Sequence, residues 1–180
     1  MKENNFHGTT ILGVRIGSKL AIGGDGQVTV GDIQMKSKAI KVRSFHDGKI
    51  IGGFAGAVAD AMSLFEKFEG KLTESNGNLQ KAVIEMAKEW RTDKILRELD
   101  ALLAIMDNKK SYLLSGSGDV IEPDDNIISI GSGSGYALAA ARAFIKAGEK
   151  KPNLIVKKAL QITSEICIYT NKNITILESK

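Results

Sequence analysis

Cysteine occurs once in this chain, tryptophan once, and histidine and proline twice each. A lone cysteine, Cys167, leaves no internal disulfide to form and fits a reducing compartment. It stands in the apolar run Ile166-Cys167-Ile168-Tyr169, the setting of a buried small hydrophobe rather than a nucleophile. The histidines are no better placed for chemistry. His7 lies in an unpatterned tail and His46 in a turn beside Asp47, so neither sits beside a nucleophile, and both read as surface residues. No spacing of Cys and His makes a metal-ligand set. Long apolar runs are missing too. The longest uncharged stretch, residues 126–141, is broken by Gly and Ser and is too short to span a bilayer. The N-terminus Met1-Lys2-Glu3-Asn4-Asn5-Phe6-His7-Gly8 lacks the apolar stretch of a secretory signal, which makes the cytoplasm the expected location.

What is present suits one domain with one sizeable core: 180 residues, of which 43% are hydrophobic and 26% charged. The net charge of +4 is mild and its Lys and Arg are dispersed, so it does not point to nucleic acid. The densest basic stretch is Lys36, Lys38, Lys41 and Arg43, which by spacing reads as a solvated strand or turn.

Periodicity divides the chain into blocks. Thr10, Leu12, Val14 and Ile16 alternate with Thr9, Ile11, Gly13 and Arg15, predicting a strand that turns at Gly17-Ser18 and returns over residues 19–23. Strands are expected at residues 39–45 and 49–54, joined by His46-Asp47-Gly48. The period then becomes helical through Ala61, Leu64, Phe65, Phe68 and Leu72. It stays helical through Leu79, Val83, Met86 and Trp90, then Ile95, Leu99 and Leu102. These make two long helices split near Ser75-Asn76-Gly77. Strands are predicted again at residues 111–115, 119–122 and 126–130, helices at about 136–147 and 152–167, and a last strand at 174–177. Strands in antiparallel runs, segregated from helices, predict an α+β fold with layered packing rather than a parallel βαβ fold.

Two places invite a chemical reading. Gly131-Ser132-Gly133-Ser134-Gly135 precedes a helix but has neither the lysine of a phosphate-binding loop nor dinucleotide spacing. It reads as a tight strand-to-helix turn whose N–H groups could serve an oxyanion. Gly8-Thr9-Thr10 joins a patternless tail to a strong strand. If the bond after Gly8 is cut, Thr9 carries both a hydroxyl and an α-amine of pKa about 7.7–8.0, a nucleophile and its base in one residue. A disordered tail before an ordinary strand is the plain alternative.

Distinctive blocks then accumulate in order. They are Thr9-Thr10-Ile11-Leu12-Gly13-Val14-Arg15, Gly24-Asp25-Gly26-Gln27-Val28-Thr29, Met35-Lys36 and Lys41-Val42-Arg43. Gly53-Phe54-Ala55-Gly56 with Ala59-Asp60-Ala61, Trp90-Arg91-Thr92-Asp93 and Ala101-Leu102-Leu103-Ala104 follow. Ile130-Gly131-Ser132-Gly133 with Tyr136-Ala137, and Ile166-Cys167-Ile168-Tyr169-Thr170-Asn171, complete the set. With them the chain resembles the HslV (ClpQ) family of peptidase subunits, bacterial relatives of proteasome β subunits among the N-terminal nucleophile hydrolases. The resemblance implies a four-layer αββα sandwich of two antiparallel sheets flanked by helices, with residues 1–8 a propeptide and residues 9–180 one peptidase domain. It implies a homo-oligomer of two stacked six-membered rings, an HslU-type AAA+ ATPase partner that spends the ATP, and unfolded proteins as substrates. The implied reaction is peptide-bond hydrolysis through an acyl-enzyme on Thr9.

Carried over by position, Lys41 matches the active-site lysine, Asp25 the acid paired with it, and Ser132 the serine near the terminal amine. The backbone N–H of Gly53 matches the oxyanion donor. The resemblance also implies a sodium-like monovalent cation on the backbone carbonyls of Ser164, Cys167 and Thr170. A tail longer than the bare initiator methionine of many relatives implies processing beyond methionine removal. Each residue has a plainer role open to it: a turn aspartate at Asp25, a surface lysine at Lys41 with Ile40 and Val42 inward, a packing glycine at Gly53. A catalytically silent ring subunit, a small-substrate amidase and, more weakly, a nucleotide binder at Gly131–Gly135 are the competing functions.

Overall fold

The computed structural model describes residues 6–56, 58–93 and 101–180, with no side-chain account of Phe6, His7 or residues 58–62. A short strand β1 (Phe6–His7) leads into the hairpin β2 (Thr10–Ile16) and β3 (Lys19–Asp25). A second hairpin, β4 (Val28–Val30) and β5 (Ile33–Lys36), precedes β6 (Val42–Phe45) and β7 (Ile50–Gly56). Helices α1 (Val58–Glu74) and α2 (Leu79–Thr92) follow, then strands β8 (Ala101–Met106), β9 (Ser111–Ser115), β10 (Val120–Ile121) and β11 (Ile127–Gly131). Helices α3 (Ser134–Lys146) and α4 (Pro152–Ile166) and strand β12 (Ile174–Glu178) end the chain.

The strands form two main antiparallel sheets, ordered β11-β2-β3-β12 and β10-β9-β8-β7-β6. Three apolar clusters show how they stack. Phe45, Ile50, Phe54 and Leu103 of the five-stranded sheet pack against Leu64, Phe68, Met86 and Trp90 of α1 and α2. Ile11, Ile22, Ile51, Ala104, Met106 and Ile130 fill the space between the sheets. Leu12, Val14 and Ala21, on the other face of the four-stranded sheet, meet Ala137 and Ala141 of α3 and Ile155, Val156 and Leu160 of α4. Side chains that alternate along β2 therefore serve two different cores, and the order of layers is helix, sheet, sheet, helix. The predicted αββα sandwich is the fold.

Local chemistry explains the helices. In α2 the buried residues Leu79, Ala82, Val83, Met86, Ala87 and Trp90 recur at helical spacing, and the Asn78 side chain caps the start by accepting from the Lys81 N–H at 3.0 Å. Pro152 opens α4, where its missing N–H costs nothing. Phe45 meets Phe65 and Phe68 edge to face, with centroids 5.4 and 5.3 Å apart.

Two expectations are corrected. Leu102, read as helical, lies in strand β8 between Ala101 and Met106, while Ile95 and Leu99 fall outside the described residues. The run Leu102-Leu103-Ala104-Ile105-Met106 sits in the middle of the five-stranded sheet, apolar on both faces, so it lacks the alternation that marks a half-exposed strand. The strand expected from residue 39 starts at Val42; Ile40, offered as inward-facing, is 73% exposed, and Lys41 is the buried one. The β4–β5 hairpin was not anticipated. Its β5 is exposed throughout, and it forms a separate three-stranded sheet, β1-β4-β5, with the tail as one edge.

Candidate active site

Four segments converge where β2 begins. Thr9 directly precedes β2, Asp25 ends β3, Lys41 directly precedes β6, and Gly131 ends β11 beside Thr10. Each candidate thus stands at a strand terminus, where the backbone is fixed by a sheet and the side chain is free of the ladder.

Lys41 is the center of this convergence. Its side chain is 1% exposed and its Nζ reaches three acceptors: Asp25 Oδ1 at 3.2 Å, the Gly8 carbonyl at 2.6 Å and the Gln27 carbonyl at 2.5 Å. An ammonium has three donors, and all three are used. Burial pulls the Lys41 pKa below the ordinary lysine value, and the charge and hydrogen bond of Asp25 offset part of that. Asp25 is completely buried and its oxygens are filled in turn. Oδ1 accepts the Thr10 N–H at 2.7 Å, and Oδ2 accepts the N–H groups of Gln27 at 2.8 Å and Asn171 at 3.3 Å. A buried ion pair with every lone pair and proton matched is the arrangement that makes such burial tolerable.

Thr9 is buried, and its hydroxyl donates to the carbonyl of Gly8 at 2.7 Å. That carbonyl belongs to the bond that joins the tail to Thr9. It takes hydrogen bonds from the Thr9 hydroxyl and the Lys41 ammonium together, and the ammonium draws charge onto its oxygen. Gly8 has φ +112°, a conformation that favours glycine, and a Cβ there would crowd Thr29 Oγ1 at 3.0 Å. The tail is held as a strand, with Phe6 opposite Val30 and His7 opposite Thr29.

The strand-to-helix turn fixes the other side of Thr9. The Ser132 N–H donates to the Thr9 carbonyl at 2.9 Å. Ser132 therefore meets Thr9 through its backbone, and its exposed side chain makes no hydrogen bond to Thr9. Gly131 has φ +92°, and a Cβ there would fall 2.0 Å from the Thr9 carbonyl oxygen. Gly53 lies across the middle core, where a Cβ would meet Ile11 Cγ2 at 2.7 Å; among the described residues no hydrogen bond joins it to Thr9 or Gly8. His46 is exposed, as expected, while the His7 side chain lies outside the described residues.

Gln27 and the side chains of Thr10, Thr170 and Asn171 complete the surroundings of Thr9 with no sequence motif to mark them. The hydroxyls of Thr10 and Thr170 share a hydrogen bond of 2.6 Å, and the Gly133 N–H donates to Thr10 Oγ1 at 3.0 Å. Gln27 Nε2 donates to Thr29 Oγ1 and to the Ile168 carbonyl. These contacts tie the segment after α4 to the starts of β2 and β4. The signal was faint: polar residues flanking glycine or following an apolar run, with partners more than a hundred positions away.

Cys167 is buried and free, as its sequence setting predicts. Ser164, Cys167 and Thr170 follow one another around the C-terminal end of α4, where helix carbonyls carry partial negative charge. The Cys167 carbonyl accepts the Thr170 N–H at 3.0 Å, and among the described residues no backbone N–H is bonded to the carbonyls of Ser164 or Thr170. Unfilled carbonyls at a helix C-terminus fit a hard cation. No cluster of His, Cys, Asp or Glu among the described residues could hold a metal, so such a cation would depend on main-chain oxygen.

The sequence matches the family model for proteasome subunits over residues 5–178. It is 58% identical over 174 residues to a protein of Caldicellulosiruptor saccharolyticus (strain ATCC 43494 / DSM 8903 / Tp8T 6331) named ATP-dependent protease subunit HslV, covering 96% of this chain and 99% of that one. The fold is similar to the crystal structure of eukaryotic HslV from Trypanosoma brucei, with a TM-score of 0.89 and 42% identity over 94% of this chain and 98% of that chain.

Proposed function

Because this chain belongs to the proteasome subunit family, and within it to the HslV group, we propose that it is the proteolytic subunit of an ATP-dependent protease, with Thr9 as its nucleophile. The observation that carries the threonine assignment is the shared grip on Gly8: Thr9 Oγ1 at 2.7 Å and Lys41 Nζ at 2.6 Å from one carbonyl oxygen.

The first reaction is the chain's own maturation. Thr9 Oγ attacks the Gly8 carbonyl carbon, the carbon–nitrogen bond breaks, and an ester to Oγ forms. The hydroxyl proton ends on the Thr9 nitrogen, which becomes an amine. Water then hydrolyses the ester, releasing residues 1–8 and restoring the hydroxyl. Substrate peptides repeat the cycle between chains, with the free amine as base. Lys41 stabilises charge on oxygen near Thr9, and Asp25 holds Lys41 in place. Gly53 is the proposed N–H donor to the oxyanion of a bound substrate, a role worth about 2.7–4 kcal/mol. Ser132 aligns Thr9 through its backbone. While the tail is attached the Thr9 nitrogen is an amide and has no base character, so the unprocessed chain is inactive toward other peptides.

The finer parts of the reading follow from the family. The chain works in the cytoplasm as a double ring of six-membered rings. An HslU-type ATPase feeds it unfolded protein and activates it on docking. The carbonyls of Ser164, Cys167 and Thr170 would hold a sodium-like cation, which supplies positive charge that anchors the end of α4.

The test is the intact mass and N-terminal sequence of the purified protein beside Thr9→Ala, with a peptide hydrolysis assay on both. Wild type starting at Thr9 and active, with the variant retaining Met1 and inactive, is the expected result. Activity from chains that still begin at Met1 would overturn the assignment.

A further inference from the structure

Cutting the bond after Gly8 changes the charges at one fixed place. The neutral Gly8 carbonyl oxygen becomes part of a carboxylate, and the Thr9 nitrogen becomes an amine with an ordinary pKa of about 7.7–8.0. Lys41 Nζ already stands 2.6 Å from that oxygen and the Thr9 hydroxyl 2.7 Å from it. A charged acceptor at that spot is held more strongly than a neutral one. The pairing of Phe6 and His7 with Val30 and Thr29 is untouched by the cut. If the tail departs, β4 is left with β5 on one side and an open edge on the other, a template for another extended peptide.

Resting on the assignment of Thr9 above, we propose that the matured site binds extended peptides ending in a free carboxylate, and that the released segment Met1–Gly8 is its first ligand and a product-type inhibitor. Two features select the ligand. The β4 edge takes the main chain of the residues before the carboxylate, and Lys41 takes the carboxylate. A Cβ on the last residue would lie 3.0 Å from Thr29 Oγ1 and 3.3 Å from the Gln27 carbonyl, so this register favours a terminal glycine. Once cut, the segment loses the advantage of being tethered, so incoming substrate can exchange it.

The experiment uses mature protein whose N-terminus is confirmed as Thr9. The probes are the synthetic peptide of residues 1–8 as the free acid, its C-terminal amide, and the free acid ending in alanine. Binding is read by calorimetry, and inhibition by competition with a reporter peptide. The free acid is expected to bind about tenfold or more tightly than the amide, as a charge-assisted hydrogen bond to a carboxylate implies, and to compete with the reporter. The alanine peptide is expected to bind more weakly than the glycine one. Full-length Thr9→Ala protein, whose β4 edge is filled by its own tail, is expected to bind none of them. Equal binding of acid and amide, binding by the Thr9→Ala chain, or no binding by a mature enzyme that still hydrolyses the reporter would each overturn the proposal. A chain that never loses its tail and hydrolyses nothing overturns the Thr9 assignment and this proposal together, and the N-terminal mass separates that case from the others.

Discussion

Lys41 Nζ lies 3.2 Å from Asp25 Oδ1, in a pair whose side chains are 1% and 0% exposed. Neither charge has access to water, so each depends on the other. Replacing Asp25 by Asn leaves an ammonium buried without its counter-charge, which costs about 3–5 kcal/mol. Denaturant unfolding in a Thr9→Ala background, where processing cannot confuse the comparison, is expected to show a loss of that order. Adding Lys41→Met is expected to recover part of it, because no unpaired charge then remains. An unchanged unfolding midpoint for Asp25→Asn would mean that the pair carries no stability.

The same burial gives Lys41 a pH signature. Its pKa in the folded chain is lowered, chiefly by desolvation, with Asp25 opposing. The unfolded chain holds the proton up to the ordinary lysine range, near 10.5. Between the lowered folded value and that range the unfolded state binds more protons, so the Lys41 contribution to stability rises with pH and is least favourable below the folded value. In the Thr9→Ala background, where both chains keep the tail, stability relative to the added Lys41→Met is expected to climb over that window. A difference that stays flat with pH would rule out a buried, depressed Lys41.

Two glycines of one turn make a contrast. Gly131 has φ +92°, and a Cβ there would sit 2.0 Å from the Thr9 carbonyl oxygen, whereas a Cβ on Gly135 meets nothing within 4 Å. Gly131→Ala must therefore move Thr9 or the end of β11. A misplacement on the order of 1 Å is enough to slow a reaction by about 10²-fold. Gly135→Ala sits in α3 and is expected to stabilise it by up to about 1 kcal/mol. Mass spectra over time should show tail removal stalled in the first variant and normal in the second.

Lys41 itself is expected to set the rate of tail removal. Its Nζ is the strongest donor to the Gly8 carbonyl, and losing one preorganised donor to a developing oxyanion costs about 10²–10³-fold. Lys41→Ala should retain Met1 to Gly8 for correspondingly longer, as read by the ratio of precursor to processed mass. Processing at the wild-type rate would show that the contact at 2.6 Å is structural only.

The layers were legible because α2 and α4 carry their apolar residues at the helical period, while β2, though buried on both faces, is marked off by the patternless tail and the Gly17-Ser18 turn. β8 was not legible, since a strand covered on both faces loses the alternation that distinguishes it from a buried helix. Thr9 and Asp25 were visible as residue types at a strand terminus, and Lys41 as a polar residue within an expected strand. Nothing in their spacing says that they meet, because the meeting is made by two hairpins folding onto different sheets. Alternation even argued against Lys41 being inside. It is buried because the strand starts three residues later than the pattern suggests, leaving Lys41 in the approach to β6, aimed at Asp25.

Asn171 illustrates what only the fold supplies, and it can be tested. Its Oδ1 accepts the N–H of Gly26 at 3.3 Å and of Asn173 at 3.0 Å, and its Nδ2 donates to the Ser37 carbonyl at 3.0 Å. Its own N–H donates to Asp25 Oδ2 at 3.3 Å. One side chain therefore links the exit from β3, the segment that delivers Lys41, and the approach to β12. Asn171→Ala keeps the backbone bond to Asp25 but loosens the other segments, at about 1–3 kcal/mol for the one buried group it leaves unpaired, the Gly26 N–H; the Ser37 carbonyl keeps its bond from Asn173 Nδ2 at 2.8 Å. Because those segments carry Asp25 and Lys41, tail removal should slow by up to about 10²-fold, the scale of a small misplacement. The effect on rate is the discriminating one. A variant that melts earlier yet processes its tail at the wild-type rate would reduce Asn171 to a structural brace. Slowed processing at a temperature where the variant is fully folded would make it a positioning residue for the Asp25–Lys41 pair.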